Sequence, residues 1–344
     1  MIREFAYWKA AFSSLGKSRI PIIPYVPERR QPPARMLAVD SAWKGIESVI
    51  GDLVIKPRMG AVIVTYNPSG VVLENVAALR PQVDRLVIVD NGSGDASMVY
   101  IDEARRAFEC DVILNGRNLG IAAALNIGVR YAESRNCEWV ALFDQDSTAV
   151  GSFVVSMRRA CEKHENPGKI AIIVPQYVDR ESSITMPVTK DRSGNILAGI
   201  TSGSMIPLKI FRRCGVFDES LFMDYVDHEF CLRVRSMGFE IVQSEEANLL
   251  HSLGAMTSHK FLGRKFFTTN HRAARRYYIT RNRVWLYKRY FWQDFTWTLK
   301  DARSLIAETG KILLVEQDRA LKLRNILLGI GDALSGHMGN RIPL

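Results

Sequence analysis

The chain has 344 residues, 47% of them apolar and 24% charged. That length and balance exclude a disulfide-stapled miniprotein and a chain disordered throughout, and suit one large domain with extensions. No apolar run reaches 18 residues, and Met1–Arg19 lacks an apolar stretch followed by a small-residue cleavage site, so neither a membrane-spanning helix nor a secretory signal is expected. Five cysteines, at 110, 137, 161, 214 and 231, are scattered and never form a CxxC pair. This argues for reduced thiols in a cytoplasm and against a zinc ribbon.

The net charge of +10 is unevenly spread. Residues 1–58 carry +5, residues 59–254 carry −6 and residues 255–344 carry +11. Basic ends of this kind serve nucleic acid, anionic lipid or phosphate-bearing substrates, and charge alone does not choose among them.

Residues 1–58 contain six prolines and no chemical motif, and read as a loosely ordered N-terminal extension. The pattern changes at Gly60. Gly60–Tyr66 is a short β-branched run ending in Asn67-Pro68-Ser69-Gly70, a buried strand followed by a turn. Val71–Leu79 reads as a helix stopped by Pro81. Leu86–Val89 is a second strand closed by Asp90-Asn91-Gly92-Ser93-Gly94, and Val112–Leu114 a third closed by Asn115-Gly116. Leu119–Glu133 has apolar residues at helical spacing, and Trp139–Phe143 is a fourth strand running into Asp144-Gln145-Asp146. This βαβ alternation predicts an α/β fold with a mostly parallel, doubly wound sheet. Ligands of such sheets lie beyond the carboxyl ends of the strands, where Thr65-Tyr66-Asn67, Asp90-Asn91 and Asp144-Gln145-Asp146 all fall.

After residue 150 the alternation loosens. Ile170–Val174 and Ala247–His251 read as strands, Gly199–Ile206 as a Gly/Ser-rich strand or loop, and Asp218–Arg235 as an acidic stretch leading into a helix. From about residue 273 the chain is helical, basic and aromatic-rich. There is no internal repeat or low-complexity tract.

Several residues carry candidate chemistry. Two neighbouring carboxylates, Asp144 and Asp146, cannot both be buried and ionised without a counter-charge, which Mg²⁺ or Mn²⁺ supplies while bridging to substrate phosphates; a polar loop after a strand is the plainer reading. Asp90 can accept from a base or ribose, or serve its turn. Asn118 precedes a helix N-terminus suited to anions, or caps it. Asp224, Asp227 and Glu229 cluster before a helix, as caps or with one acting as a general base. His251 ends a strand, as a structural residue or a metal ligand. Five arginines between Arg272 and Arg283 form either a solvated basic face or a grip on diphosphate or lipid phosphate.

Taken in order, Ala61–Asn67, Ile88–Ser93, Asn118–Gly120, Leu142–Ser147, Phe222–Arg233, His251–Gly254 and Tyr277–Asn282 resemble the family 2 glycosyltransferases of GT-A fold, and most closely the bacterial rhamnosyltransferase-like branch. The resemblance covers about residues 60–290. It implies a catalytic domain over residues 59–270 and a basic helical C-terminal region over 271–344. It further implies an inverting transfer from a nucleotide sugar, with Mg²⁺ or Mn²⁺ as cofactor. Thr65, Tyr66, Asn67, Asp90, Asn118 and Asp144 match donor nucleotide-binding positions. Asp146, the more direct ligand of the DxD pair, and His251 match metal positions. Asp227 aligns with the family's catalytic base, but Val226 stands where a glutamate is usual, which leaves Asp224 as the other candidate. Arg281 and Asn282 match a substrate-contacting motif for phosphate or acceptor.

The branch suggests dTDP-rhamnose as donor, with a UDP-sugar as the alternative, and a saccharide or lipid-linked acceptor in bacterial surface polysaccharide synthesis. The expected location is the cytoplasm, peripheral on the inner face of the plasma membrane. Aromatic residues from Trp285 to Trp297 interleave with Arg283, Lys288, Arg289 and Lys300, as in a helix lying on an anionic membrane or packed on the catalytic domain. Two other classes compete. A nucleic-acid-binding protein using the basic C-terminal region lacks a recognised signature. A nucleotidyltransferase lacks a Gly-rich phosphate loop.

Overall fold

The β-branched run after Arg58 forms β1 (Met59–Thr65), and all seven of its residues are buried, the mark of a strand covered on both faces. The computed structural model describes residues 57–180, 183–251, 257–261 and 264–343. The extension expected over 1–58 therefore lies outside the described residues, apart from its last two positions, as do the positions 252–254 that follow His251. Residues Pro57–Leu344 make one compact unit.

β1 is followed by α1 (Val71–Leu79), β2 (Arg85–Asp90), α2 (Asp95–Phe108), β3 (Asp111–Leu114), α3 (Ile121–Ser134) and β4 (Trp139–Asp144). Then come β5 (Thr148–Ala149), α4 (Phe153–Glu162), β6 (Ile170–Asp179), β7 (Thr185–Met186), β8 (Thr189–Lys190), β9 (Ile196–Ala198), β10 (Met205–Pro207), α5 (Leu208–Cys214) and α6 (Val226–Ser236). The chain continues with β11 (Glu240–His251), β12 (Thr257–Phe261), β13 (Arg264–Thr268), α7 (Ala273–Tyr290), α8 (Phe295–Val315) and α9 (Arg319–Ser335).

The main sheet has the order β3-β2-β1-β4-β10-β6-β11-β5, with β7 paired to β6. β3, β2, β1 and β4 are mutually parallel, as are β6 and β11. β10 runs antiparallel between β4 and β6. The α/β, mostly parallel sheet and the helical C-terminal region expected from the sequence are both present. Register places Thr65 beside Asp90, and His251 beside Asp179. The polar strand ends thus gather along one edge of the sheet, where a ligand belongs. The five cysteines are unpaired, and among the described residues no helix is long and apolar enough to cross a membrane.

The structure differs from the sequence reading in places that have physical causes. α2 leaves little trace in the hydrophobic pattern, because only Ile101 and Ala104 of its fourteen residues are buried and its apolar stripe is correspondingly thin. α3 starts at Ile121 rather than Leu119, since Gly120 adopts φ +89° just ahead of it. The strand read at Ala247–His251 is the second half of β11, whose pairing with β6 shifts register between Gln243 and Asn248.

α3 packs closely on β1 through Gly128. A Cβ at this position would lie 2.2 Å from Val62 Cγ1, and Val62 is fully buried and β-branched, so it cannot rotate away cheaply. Alanine would gain about 1 kcal/mol in helix propensity. Overpacking costs about 1–3 kcal/mol. Packing is expected to win: Gly128→Ala should lower stability by about 1 kcal/mol, and by no more than about 2, in urea unfolding, whereas a helix-propensity effect alone would raise it.

Candidate active site

The loops after β1, β2 and β3 are tied together by short polar side chains. Asp90 is buried, and its carboxylate accepts from Gly92 N at 3.1 Å, Ser93 N at 2.9 Å, the Ser93 hydroxyl and Thr65 Oγ1 at 3.0 Å. Asn67, at φ +49°, accepts from Gly94 N at 2.9 Å. Asn91 donates to Asn118 Oδ1 at 3.0 Å, and Asn118 Oδ1 also accepts from Gly120 N at 2.9 Å. Thr65 and Asp90, which match donor nucleotide-binding positions, are buried, and their side chains bond each other and the turn. Tyr66 and Asn67 remain exposed at the rim, with Asn118 half-buried beside them.

The Asp144–Ser147 loop is held from three sides. Asn75 of α1, fully buried, donates to Gln145 O at 2.5 Å and accepts from the Thr148 hydroxyl. Tyr66 N donates to Gln145 Oε1 at 2.8 Å. Asp144 N donates to Ser202 Oγ at 3.0 Å. Neither Asn75 nor Ser202 was singled out in the sequence, where each is an ordinary polar residue with no motif around it. His251 reaches the same loop from the end of β11, with Nδ1 2.8 Å from Ser147 Oγ and 4.0 Å from Asp146 Oδ1.

Asp144, Asp146 and His251 each present a ligand atom within 4.8 Å of the others. Burial, first, and then the charges of Asp146 and Asp227 push the Asp144 carboxyl up to about 7. Burial also lowers the His251 pKa from its ordinary value, which favours the neutral, ligating imidazole. Two carboxylates short of positive charge beside a neutral imidazole fit a divalent cation such as Mn²⁺ or Mg²⁺.

The second group of carboxylates lies in the segment before α6. Phe222, Asp224 and Tyr225 all have φ near +60°, a region costly to residues with a Cβ. What holds them is the Arg281-Asn282 pair of α7. Asn282 Nδ2 donates to the carbonyls of Leu221 at 3.0 Å, Met223 at 2.7 Å and Asp224 at 2.8 Å. Arg281 donates to Leu221 O at 2.9 Å and to Gly339 O at 2.6 Å. Gly120 closes the other side: Ile121 N donates to Phe222 O at 2.8 Å, and a Cβ on Gly120 would lie 2.5 Å from that oxygen. Arg281 and Asn282, expected at phosphate or acceptor, are fully buried. Their donors are committed to main-chain carbonyls, and they shape the loop instead.

Asp224 and Asp227 differ in their partners. Asp224 is locked by Arg275, whose Nε and Nη2 lie 2.9–3.2 Å from its oxygens. Asp227 accepts from His228 N at 2.8 Å and has no lysine or arginine paired to it among the described residues. Burial is the main cause raising its pKa above the ordinary carboxylate value.

These groups share one cleft of about 670 Å³. Asp144, Asp224, Asp227 and His251 line one part of it, and His271, Arg275, Arg276, Lys311, Glu308 and Glu316 another. His271 is pushed down to about 4 by burial and the neighbouring arginines. The wall from α7 and α8 is braced by buried ion pairs, Arg276–Glu316 at 2.8 Å, Glu316–Lys322 at 2.9 Å and Arg283–Glu308 at 2.8 Å. Of the basic run on α7, Arg276, Arg281 and Arg283 are therefore structural, and no continuous solvated basic face forms. Of the aromatic run, Tyr290 and Trp297 are buried against the catalytic domain, and Trp297 Nε1 donates to His228 Nδ1 at 3.2 Å.

Residues 61–214 match the model of Glycosyl transferase family 2. The chain carries a family 2 glycosyltransferase domain. With its mostly parallel sheet, this makes the fold a GT-A one. The chain is 28% identical over 298 residues to the dTDP-rhamnosyl transferase RfbF of Shigella flexneri, covering 81% of this chain and 96% of that protein. It is thus a glycosyltransferase related to a dTDP-rhamnosyl transferase. Among solved structures, it resembles the mannosyltransferase PcManGT of Pyrobaculum calidifontis, in complex with GDP-Man and Mn²⁺, at 13% identity and TM-score 0.48, over 88% of this chain and 99% of that one. It also resembles TarS of S. aureus at 13% identity and TM-score 0.48, over 81% of this chain, and spans 44% of the TarS chain.

The family 2 match takes in the loops after β1, β2 and β4 but ends before Asp224, Asp227, His251 and the Arg281-Asn282 pair. Two outcomes follow from the geometry around this domain. Asn282→Leu removes a donor from three carbonyls, of which Leu221 O keeps Arg281, and should cost about 2–4 kcal/mol in denaturant unfolding. Burial favours protonated Asp144, so its contribution to stability is full below the ordinary 3.8 and is lost as pH rises through about 7. In metal-free buffer Asp144→Asn should therefore gain melting temperature on the parent as pH is raised from about 4 to 7, then level off.

Proposed function

We propose that the protein is an inverting, metal-dependent glycosyltransferase. It moves rhamnose from dTDP-rhamnose to a hydroxyl of a saccharide or lipid-linked acceptor in bacterial surface polysaccharide synthesis. The observation that carries this reading is the sharing of one cleft by two chemistries. Asp144 and His251, with Asp146 beside them, form an oxygen- and nitrogen-bearing cation site, and Asp227 is a carboxylate with no cation paired to it. The relation to RfbF, named for dTDP-rhamnose, supports the donor.

In this mechanism Tyr66, Asn67 and Asn118 hold the nucleotide at the strand ends. Asp144, Asp146 and His251 hold Mg²⁺ or Mn²⁺, which when bound supplies positive charge against the diphosphate leaving group. Arg275 adds positive charge on the same cleft, next to Asp224. Asp227 takes the proton from the acceptor hydroxyl as that oxygen bonds to the anomeric carbon and the bond from that carbon to the diphosphate oxygen breaks. A single displacement inverts the configuration. The choice of Asp227 over Asp224 rests on partners: a carboxylate clamped by a guanidinium is a poor proton acceptor, whereas burial makes Asp227 more basic. The enzyme works on the cytoplasmic side, at the inner face of the plasma membrane.

Purified protein is expected to transfer from dTDP-rhamnose, and not from UDP-sugars, in the presence of Mg²⁺ or Mn²⁺, and to stop on chelation with EDTA. Asp227→Asn should reduce kcat by about 10²–10⁴ while donor affinity, read by thermal shift with dTDP-rhamnose, stays within a few-fold. Unimpaired transfer by that variant would remove Asp227 from the mechanism.

A further inference from the structure

The two last helices turn their carboxylates toward the protein and leave a set of large apolar side chains exposed. On α8, Phe295, Leu299, Ile306 and Leu313 recur at helical spacing and are all exposed, Ile306 by 73%. On α9, Leu321, Leu327, Leu328 and Leu334 do the same, Leu327 by 67%. Trp292, in the turn leading into α8, is 90% exposed. Large apolar side chains grouped in this way mark an interaction surface.

Charge identifies the kind of partner. The acidic residues within these helices are engaged on the opposite side. Asp301 accepts from Tyr225 and Tyr287 at 2.8 and 2.6 Å, Glu308 pairs with Arg283, and Asp332 accepts from Tyr277 at 2.5 Å. From Phe295 to Ser335 the exposed charged residues are Arg303, Arg319 and Arg324, with Asp318 in the turn between the helices. Arg303 falls within the apolar stripe of α8, and Arg324 within that of α9, at the same helical spacing. A second copy of the chain seated here would bring arginine against arginine with no carboxylate on either stripe to pair it. Residues 1–58 are themselves net basic and complement these arginines no better.

We infer that the exposed faces of α8 and α9 dock on an anionic lipid surface, with the leucine, isoleucine and aromatic side chains entering the headgroup region and Arg303 and Arg324 meeting lipid phosphates. This surface differs from the one expected in the sequence: Tyr290 and Trp297 are buried, and the lipid-facing residues lie mostly further along the chain. The inference rests on the proposed function for its membrane location alone. Vesicle binding is read without sugar transfer, so its failure would leave the transferase reading standing.

The test is flotation of the full chain with vesicles of phosphatidylcholine alone or mixed with phosphatidylglycerol. Binding is expected to the mixed vesicles and not to phosphatidylcholine alone, and to weaken as salt is raised. Arg303→Gln and Arg324→Gln should each lower the partition coefficient about fivefold. The double variant Ile306→Asp/Leu327→Asp should lose binding while keeping the parent's melting temperature, since both side chains are exposed. Equal binding to the two vesicle types, or binding unchanged in the double variant, would overturn the inference. So would a parent that binds neither vesicle and forms a dimer dissociated by Ile306→Asp, which would assign the face to a second copy.

Discussion

A main-chain carbonyl turned away from water needs a donor, and the segment from Leu221 to Asp224 turns three of them toward α7. Phe222, Asp224 and, just beyond the segment, Tyr225 are at positive φ, each disfavoured for a side chain with a Cβ. Neither cost is met locally. Both are met from sixty residues away, by the Asn282 amide and the Arg281 guanidinium, with Tyr277 and Tyr278 stacked under that guanidinium at 5.5 and 4.9 Å. The orientation of Asp224 and Asp227 therefore depends on the C-terminal helix, and the catalytic domain is incomplete without it.

The cleft so formed is electrostatically divided. Toward the sheet, Asp144 and Asp227 are half-buried with too little positive charge nearby, and both carboxyls are held above their ordinary range. Toward the helices, cations and carboxylates are matched nearly one to one, through Glu308, Glu316 and their basic partners. Matched pairs brace a wall, since breaking one strands a buried charge. An unmatched pair of acids is a place where a cation or a proton is wanted. The structure keeps these two uses of charge on separate elements.

Much of this was legible in the sequence, and unevenly so. The parallel strands β1, β2 and β4 announce themselves as β-branched runs ending in polar turns, because a strand covered on both faces has no room for anything else. The convergence of Asp144, Asp146 and His251 could be expected only through an ordered set of short motifs; nothing about a lone histidine 105 residues after Asp146 indicates proximity. Arg281 and Asn282 are visible in the sequence as residues, but their carbonyl partners are not. A buried arginine whose donors meet carbonyls looks, in sequence, the same as an exposed one awaiting a phosphate. Asn75 and Ser202 gave no signal at all, since their function is to bond a loop that only the fold brings to them.

The segregation of the molecule into a sheet half and a helix half has a consequence for how new specificities can arise. Substitutions at the exposed rim around Tyr66 and Asn67 change that side of the molecule without touching α7 or α8. The opposite wall is less modular. Ser220, Leu221 and Asp224 are sewn by hydrogen bonds to Arg281, Asn282 and Gly339, so any chimera that imports this wall from another protein must transplant everything from the segment before α6 to the chain's last turns as one inheritable block.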